Sequence, residues 1–457
     1  MRDPCMILSL PEELLIEILE WSTLYAPGTN HLRGLALVCP RFYYIVTPWI
    51  FREINLLLIE REPTVKSAFT LQALQLCECL CSNPSLRSLC HSLRIDFDTN
   101  VRIYPDDLKV ANVLFSGMTN VRSFTLRGDF RRPFNDSVFD KRQFFWALIQ
   151  RASQNLVNLK EFILGDIRGS FNVGPLLSDA ACHIHMPFLE TLDIWNAVYL
   201  GPTETPEEIK QENYRSAPFT TVTLRSYEGD RESLRRFLNW PKKIVHLCID
   251  TNYDLGWVDR RDVVDLPWLV ACLAPHKDTV ESISLGPHIP NETGLFDATG
   301  FSKLTFLRIA GKSLGSPGTS DLVWPHEDLS CDMLLAPNLE TLELSYGVFH
   351  PLFNNDFDEW AQHWIRQLAD AICNSSSRVK IQLRLVSGEG VKPTFSFHSA
   401  YLKYPWDYLE GLQKDLQRQG VILEYDQPIM TREKWTRRLI DKTWPRAGED
   451  HLEHPQN

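Results

Sequence analysis

Cysteine and histidine are the side chains whose crowding in this chain first invites a chemical reading. Cys77, Cys79 and Cys81 alternate, and Cys90 and His91 follow shortly after. Thiolates and imidazoles together bind zinc, and Cys77 and Cys81 would share one helix face. The chain has no C-x-x-C pair, however, and buried thiols acting as small apolar groups account for the same residues. Cys182, His183 and His185 read as a loop with one hydrogen-bonded histidine. Of the patterns that place a metal ligand, a nucleophile or a phosphate cradle, H-E-x-x-H, G-x-G-x-x-G and the Walker loop do not occur, and G-x-S-x-G occurs once, at Gly311-Lys312-Ser313-Leu314-Gly315. Acidic residues are scattered, and spacing alone assigns no acid and base pair. No metal, cofactor or catalytic centre is therefore expected, and function has to reside in surfaces.

Those surfaces need a fold, and composition bounds it. At roughly 150 residues per domain, 457 residues suggest about three domains unless repeats stack into one body. With 44% apolar and 11% aromatic residues, most of the chain is expected to be ordered. The net charge of −11, from 47 basic and 58 acidic residues, argues against nucleic acid or an anionic membrane as partner. The apolar run Cys5 to Leu10 is short for a secretory core of about 7–15 residues. The run Val263 to Pro275, broken by Asp265 and two prolines, falls short of the roughly 20 residues of a membrane helix. Eleven cysteines without a regular framework suggest reduced thiols, and the expected location is cytoplasmic, nuclear or both.

The first fifty residues read as three short helices. Ser9 is a candidate cap, Pro11 lies near the first turn, and Glu12 and Glu13 suit the positive helix end. Leu14, Leu15, Ile18 and Leu19 recur at helical spacing, with Glu13, Glu17 and Glu20 on another side. After a turn at Pro27 to Asn30, a second apolar period runs from Leu32 to Cys39 and is expected to end at Pro40; a third helix spans Arg41 to Val46, before Pro48. So few residues make a very small core, and apolar faces are left for another body to cover.

The order Leu10-Pro11, Glu13-Leu14-Leu15, Ile18-Leu19, then Leu35, Leu37-Val38-Cys39, Arg41-Phe42, Ile45-Val46, Pro48 and Phe51 resembles an F-box, in the fungal form that runs "LP-ELL-IL" into "LVC-R". The match covers about 45 residues. The resemblance implies that this segment binds the Skp adaptor of a Skp–cullin–F-box ubiquitin ligase, and through it a cullin. Carried over, the adaptor face would comprise Leu10, Pro11, Leu14, Ile18, Leu35, Val38, Cys39 and Phe42. The same residues would also serve a three-helix cap on the following domain.

Beyond a helical linker, L-x-x-L-x-L returns with any aliphatic residue or Phe allowed: Cys90-Leu93-Ile95, Val121-Phe124-Leu126, Leu159-Phe162-Leu164, Leu189-Leu192-Ile194, Phe219-Val222-Leu224, Ile244-Leu247-Ile249, Val280-Ile283-Leu285, Leu304-Leu307-Ile309 and Leu339-Leu342-Leu344. Pro187-Phe188-Leu189-Glu190-Thr191-Leu192-Asp193-Ile194 is echoed by Pro337-Asn338-Leu339-Glu340-Thr341-Leu342-Glu343-Leu344. Each triple predicts a short strand with one buried face, and a unit of that size buries its leucines only against its neighbours. Helices are expected over Phe144 to Ser153, Leu234 to Asn239, Trp360 to Cys373 and Trp406 to Gln419, with final strands at Val379 to Leu385 and Val421 to Tyr425. The pattern resembles a leucine-rich-repeat solenoid, although the position three after the last leucine is Asn only at Asn252. A globular α/β domain is the alternative.

The expected fold class is thus α/β: a small N-terminal three-helix F-box (6–55), a helical linker (56–88), an irregular leucine-rich-repeat-like solenoid with a concave parallel sheet and a C-terminal cap (89–430), and a charged helix and tail (431–457). Side chains flanking the buried leucines would point outward: Arg127, Glu161, Asp193, Trp195, Arg225, His246, Asp250, Phe306, Arg308 and Glu343. Exposed aromatic and Arg residues are the usual anchors of interfaces, so this face is the expected site for an unidentified target protein; an ordinary solvated face is the other reading. The functional expectation is the substrate-recognition subunit of a Skp–cullin–F-box ligase, without catalysis of its own. The alternative is a repeat scaffold that binds partners without delivering them to a ligase.

Overall fold

The computed structural model describes residues 10–25, 30–58, 69–97, 105–128, 141–165, 177–197, 213–227, 231–251, 264–286, 296–310, 314, 331–347, 359–375, 378–386, 405–426, 431–433 and 436–437. The chain forms two compact units, residues 1–196 and 197–457.

Unit one opens with α1 (Glu12–Tyr25), α2 (Asn30–Ala36) and α3 (Pro40–Arg52), then β1 (Glu53–Leu58), α4 (Leu71–Ser82) and α5 (Pro84–Arg87). It continues as β2 (Ser92–Phe97), α6 (Pro105–Phe115), β3 (Ser123–Arg127), α7 (Lys141–Asn155), β4 (Glu161–Gly165), α8 (Leu177–His183) and β5 (Thr191–Trp195). Consecutive strands pair in parallel and in register, so Ile54, Leu93, Phe124, Phe162 and Leu192 form one inward row. Phe124 and Phe162 stack with centroids 5.3 Å apart. In each repeating triple the first apolar residue is buried in the turn before the strand and the other two on the strand's inner side, as with Val121, Phe124 and Leu126, all fully buried.

Unit two follows the same grammar: β6 (Thr221–Tyr227), α9 (Arg231–Asn239), β7 (His246–Thr251), α10 (Leu266–Leu273), β8 (Ser282–Leu285), β9 (Phe306–Ala310), β10 (Thr341–Gly347), α11 (Glu359–Asn374), β11 (Lys380–Val386), α12 (Pro405–Arg418) and β12 (Leu423–Tyr425). Its inward row runs Val222, Leu247, Ile283, Leu307, Leu342, Ile381 and Leu423, every pairing parallel. At α10, the Asp265 carboxylate accepts from the Trp268 N–H at 2.9 Å and meets Arg231 of α9 at 2.7 Å, capping one helix and tying it to another. All-parallel pairing in strict chain order, with helices between many of the strands, is an α/β arrangement of solenoid-like character.

Successive repeats are stitched in the turns that lead into the strands. Asn120 Nδ2 donates to the Ser88 carbonyl at 2.6 Å, Asn158 Nδ2 to Thr119 at 2.7 Å and Asn338 Nδ2 to Ser302 at 2.7 Å. In these three repeats the amide rung therefore precedes the triple instead of following it; Asn252 lies outside the described residues. Connections differ in length on the two sides. From α5 onward the chain passes from a helix into a strand after four (88–91) to eight (274–281) residues, but leaves a strand for the next helix through three (228–230) to eighteen (387–404).

Four local expectations differ from the structure, the first being that Cys182 and His183, expected in a loop, end α8. Pro40 opens α3 instead of ending α2, because its fixed φ and missing N–H suit a first helical position. Pro48 does not stop α3, which runs on to Arg52; the bond that Pro48 cannot give is lost on the exposed side, while Thr47 Oγ1 donates to the Tyr43 carbonyl at 2.5 Å. Residues 53–58, at the expected junction between helices and linker, form β1, so that α3 passes into the sheet without an intervening residue. The 431–457 segment lies largely outside the described residues.

Candidate functional site

α1 is apolar on two sides. Leu15 and Leu19 enter a core with Leu32, Phe42, Ile45 and Val46. Leu14, Ile18 and Trp21, one line along the helix, remain 45%, 46% and 56% exposed. The turn after α2 adds Leu37 at 88% and Val38 at 63%, and α3 exposes Tyr43 and Tyr44. An Arg41 guanidinium N–H donates to the Leu10 carbonyl at 2.7 Å, holding the start of α1 against α3. The Arg52 carbonyl accepts from the His91 N–H at 2.8 Å, joining the end of α3 to the turn before β2.

Of the eight residues expected on this face, Pro11, Leu14, Ile18 and Val38 are exposed. Leu10, Leu35 and Cys39 are half-buried against the small core, and Phe42 belongs to it. Trp21, Leu37, Tyr43 and Tyr44 are additional exposed apolar residues; the i, i+4, i+7 spacing of Leu14, Ile18 and Trp21 carries that signal in the sequence. Among the described residues, the large exposed apolar side chains lie in unit one, with Ile422 of unit two the exception.

On the outward side of the unit-one sheet, the Arg127 guanidinium lies 4.4 Å from the Trp195 ring centroid. The two strands are separated by β4, and the close approach depends on Gly165, whose φ is +159°. A Cβ there would lie 2.4 Å from Trp195 Cβ and 2.7 Å from the Trp195 carbonyl oxygen, so the backbone and Cβ of Trp195 occupy the space that any side chain would need. Trp195 is half-buried and Asp193 buried at 7% exposure. Arg94 meets Asp96 at 2.7 Å, and Ser123 Oγ donates to Glu161 at 2.7 Å. This face is interlocked across its strands.

Unit two shows the same economy. Arg308 approaches Glu343 through Nε at 2.7 Å and a terminal N–H at 2.9 Å, and its other terminal nitrogen reaches Ser284 Oγ at 3.3 Å. Glu343 is buried, with Arg384 a further 3.8 Å away. Lys380 meets Glu424 at 2.5 Å. Arg225 and His246 are exposed, Asp250 and Phe306 half-buried. The charged pair 308/343 staples neighbouring strands, and its guanidinium is already occupied.

Among the described residues, the cysteines gather no site. Burial pushes the Cys77 thiol up to about 11 and that of Cys90 to about 12, so both stay protonated and apolar in character. Cys81 is exposed, and the side chain of Cys182 lies outside the described residues. Among the described residues, no group of three His, Cys, Asp or Glu side chains could hold a metal ion, and no helix is long and apolar enough to cross a membrane. His276, fully buried in the turn after α10, donates from Nε2 to the Leu238 carbonyl at 2.8 Å and accepts the Ile244 N–H at Nδ1 at 3.2 Å, with an Arg215 nitrogen 3.0 Å away. Burial holds it neutral, with a pKa lowered to about 4. It is a structural tie.

No protein-family model matches the chain, and no curated protein matches its sequence. The site has to be read from its own chemistry. The sheet faces pair their own charged side chains, and the N-terminal helices leave an apolar face exposed.

Proposed function

We propose that the chain is the substrate-recognition subunit of a Skp–cullin–F-box ubiquitin ligase, with α1 to α3 docking on the Skp adaptor and the repeats receiving a target protein. The observation that carries this reading is the second apolar side of α1: Leu14, Ile18 and Trp21 exposed on a helix whose core contacts are already made by Leu15 and Leu19. Leaving such a stripe in water forgoes burial worth roughly 1.5–3 kcal/mol per large side chain, which a partner recovers. The F-box-like order of residues supplies the identity of that partner. In this reading the outward strand residues Arg127, Asp193, Trp195, Arg225, His246, Asp250, Arg308 and Glu343 contribute to the target-facing sheet. Half-buried Trp195 and exposed Arg225 and His246 are the ones within a partner's reach, while Asp193 and Glu343 are buried. Ubiquitin transfer belongs to other subunits, and this chain contributes effective concentration.

The test is co-expression with the host's Skp adaptor and size-exclusion chromatography of the wild type and a Leu14→Asp/Ile18→Asp variant. Co-elution by the wild type alone is the expected result. Absence of co-elution by both would leave the helices as a cap on the repeats, and adaptor binding without a cullin in the complex would favour a scaffold.

A further inference from the structure

The exposed face of α1 carries charge beside its apolar stripe, and the charge narrows the chemistry of whatever covers it; this inference rests on the docking role proposed above. Successive residues lie about 100° apart round a helix, so three lines divide α1 into about thirds. Leu15 and Leu19 face the core, Leu14, Ile18 and Trp21 form the stripe, and Glu13, Glu17 and Glu20 form a row along the stripe's outer side. All three glutamates are exposed, and the fourteen residues of α1 include no Lys or Arg.

Helix stability accounts for only part of this row. Glu12 and Glu13 occupy the first turn, where the helix's own positive end favours a carboxylate. That effect fades within one turn, and Glu17 lies beyond it. A body that closes over Leu14 and Ile18 brings its own rim alongside Glu13 and Glu17. A neutral rim would strip water from the carboxylates without replacing it, and an acidic rim would repel them.

We infer that the partner covering Leu14, Ile18 and Trp21 presents an apolar groove rimmed by Lys or Arg side chains that face Glu13 and Glu17. The stripe then holds the complex, while the glutamates steer its formation. Long-range attraction of this kind acts on the association rate and is screened by salt, whereas apolar burial acts on dissociation.

The experiment uses the full chain and the host's purified Skp adaptor, with association followed at 50 and 500 mM NaCl. The variants are Glu13→Gln/Glu17→Gln, Glu13→Lys/Glu17→Lys and Leu14→Asp/Ile18→Asp. Wild-type association is expected to slow by about tenfold or more at the higher salt, and the Gln variant to associate about tenfold more slowly than wild type at low salt but equally at high salt. The Lys variant should be slower still, with dissociation little changed. A Gln variant that matches the wild type at 50 mM, or a Lys variant that associates faster, overturns the inference. Binding abolished by Leu14→Asp/Ile18→Asp yet indifferent to Glu13 and Glu17 keeps the docking role and removes only the basic rim. A wild type that binds at neither salt removes both.

Discussion

Acidification should loosen unit two through one side chain, His276. Its Nδ1 accepts from the Ile244 N–H and faces Arg215, so a proton arriving there meets a donor and a cation while Nε2 still holds the Leu238 carbonyl. The folded pKa of about 4 lies below the ordinary value of 6.5, chiefly through burial. Between these values the unfolded chain takes up a proton that the native protein refuses, so stability is complete above about pH 6.5 and declines towards pH 4. At about 1.4 kcal/mol per pKa unit, the loss from pH 7.5 to pH 4.5 is roughly 2–3 kcal/mol. Urea unfolding of the wild type and His276→Gln at both pH values isolates this contribution, because other titrating groups appear in both proteins. The variant is expected to be less stable than the wild type at pH 7.5, by about 1–3 kcal/mol for its imperfect hydrogen bonds, and to lose less on acidification by roughly the histidine's share. An equal pH dependence in the two proteins would refute the assignment.

Arg308→Ala should destabilise unit two by about 2 kcal/mol, discounted from a fully buried pair because Arg308 is partly exposed, and adding Glu343→Ala should recover part of the loss in denaturant titrations. Gly165→Ala should cost more than about 1 kcal/mol and alter the fluorescence of Trp195, since the new methyl group has no room beside that residue's backbone. Removing one rung in Asn158→Ala should cost about 0.5–1.5 kcal/mol, read as a lowered melting temperature. Alkylation at pH 8 followed by mass spectrometry should mark exposed Cys81 and Cys373 quickly, and Cys77, Cys90, Cys272 and Cys331 only after denaturation, because burial raises those four thiols to about 11–12.

The repeating triple was the most legible feature, because a strand buried on one side writes its spacing directly into the chain. All nine triples from Cys90 to Leu344 lead into parallel strands. β1 obeys the same rule as Phe51-x-x-Ile54-x-Leu56, but there the first apolar residue sits in α3, and helical periodicity masked the strand. The amide rungs are hidden for a different reason: Asn120, Asn158 and Asn338 precede their triples, whereas the leucine-rich-repeat pattern carries its asparagine after them. On the helices, residue type could not separate inward from outward apolar positions. Phe42 is in the core whereas Leu37 is the most exposed of its neighbours, a distinction set by where α2 ends. On the sheets, spacing sets Arg308 and Glu343 apart from the leucines, yet it could not reveal that adjacent strands bring the two together, bury Glu343 and use up their charge.

The unequal connections carry a consequence for engineering. The four to eight residues that lead from a helix into a strand include the buried first apolar residue of that repeat, so a long insertion there would pull it out of the core. The opposite side obeys no such rule, since lengths from three to eighteen residues already coexist there with an unbroken row of pairings in each unit. Epitope tags, reporter peptides or affinity handles belong in the long segments that follow β3, β7 or β11, where the chain can lengthen without shifting the frame of the sheet.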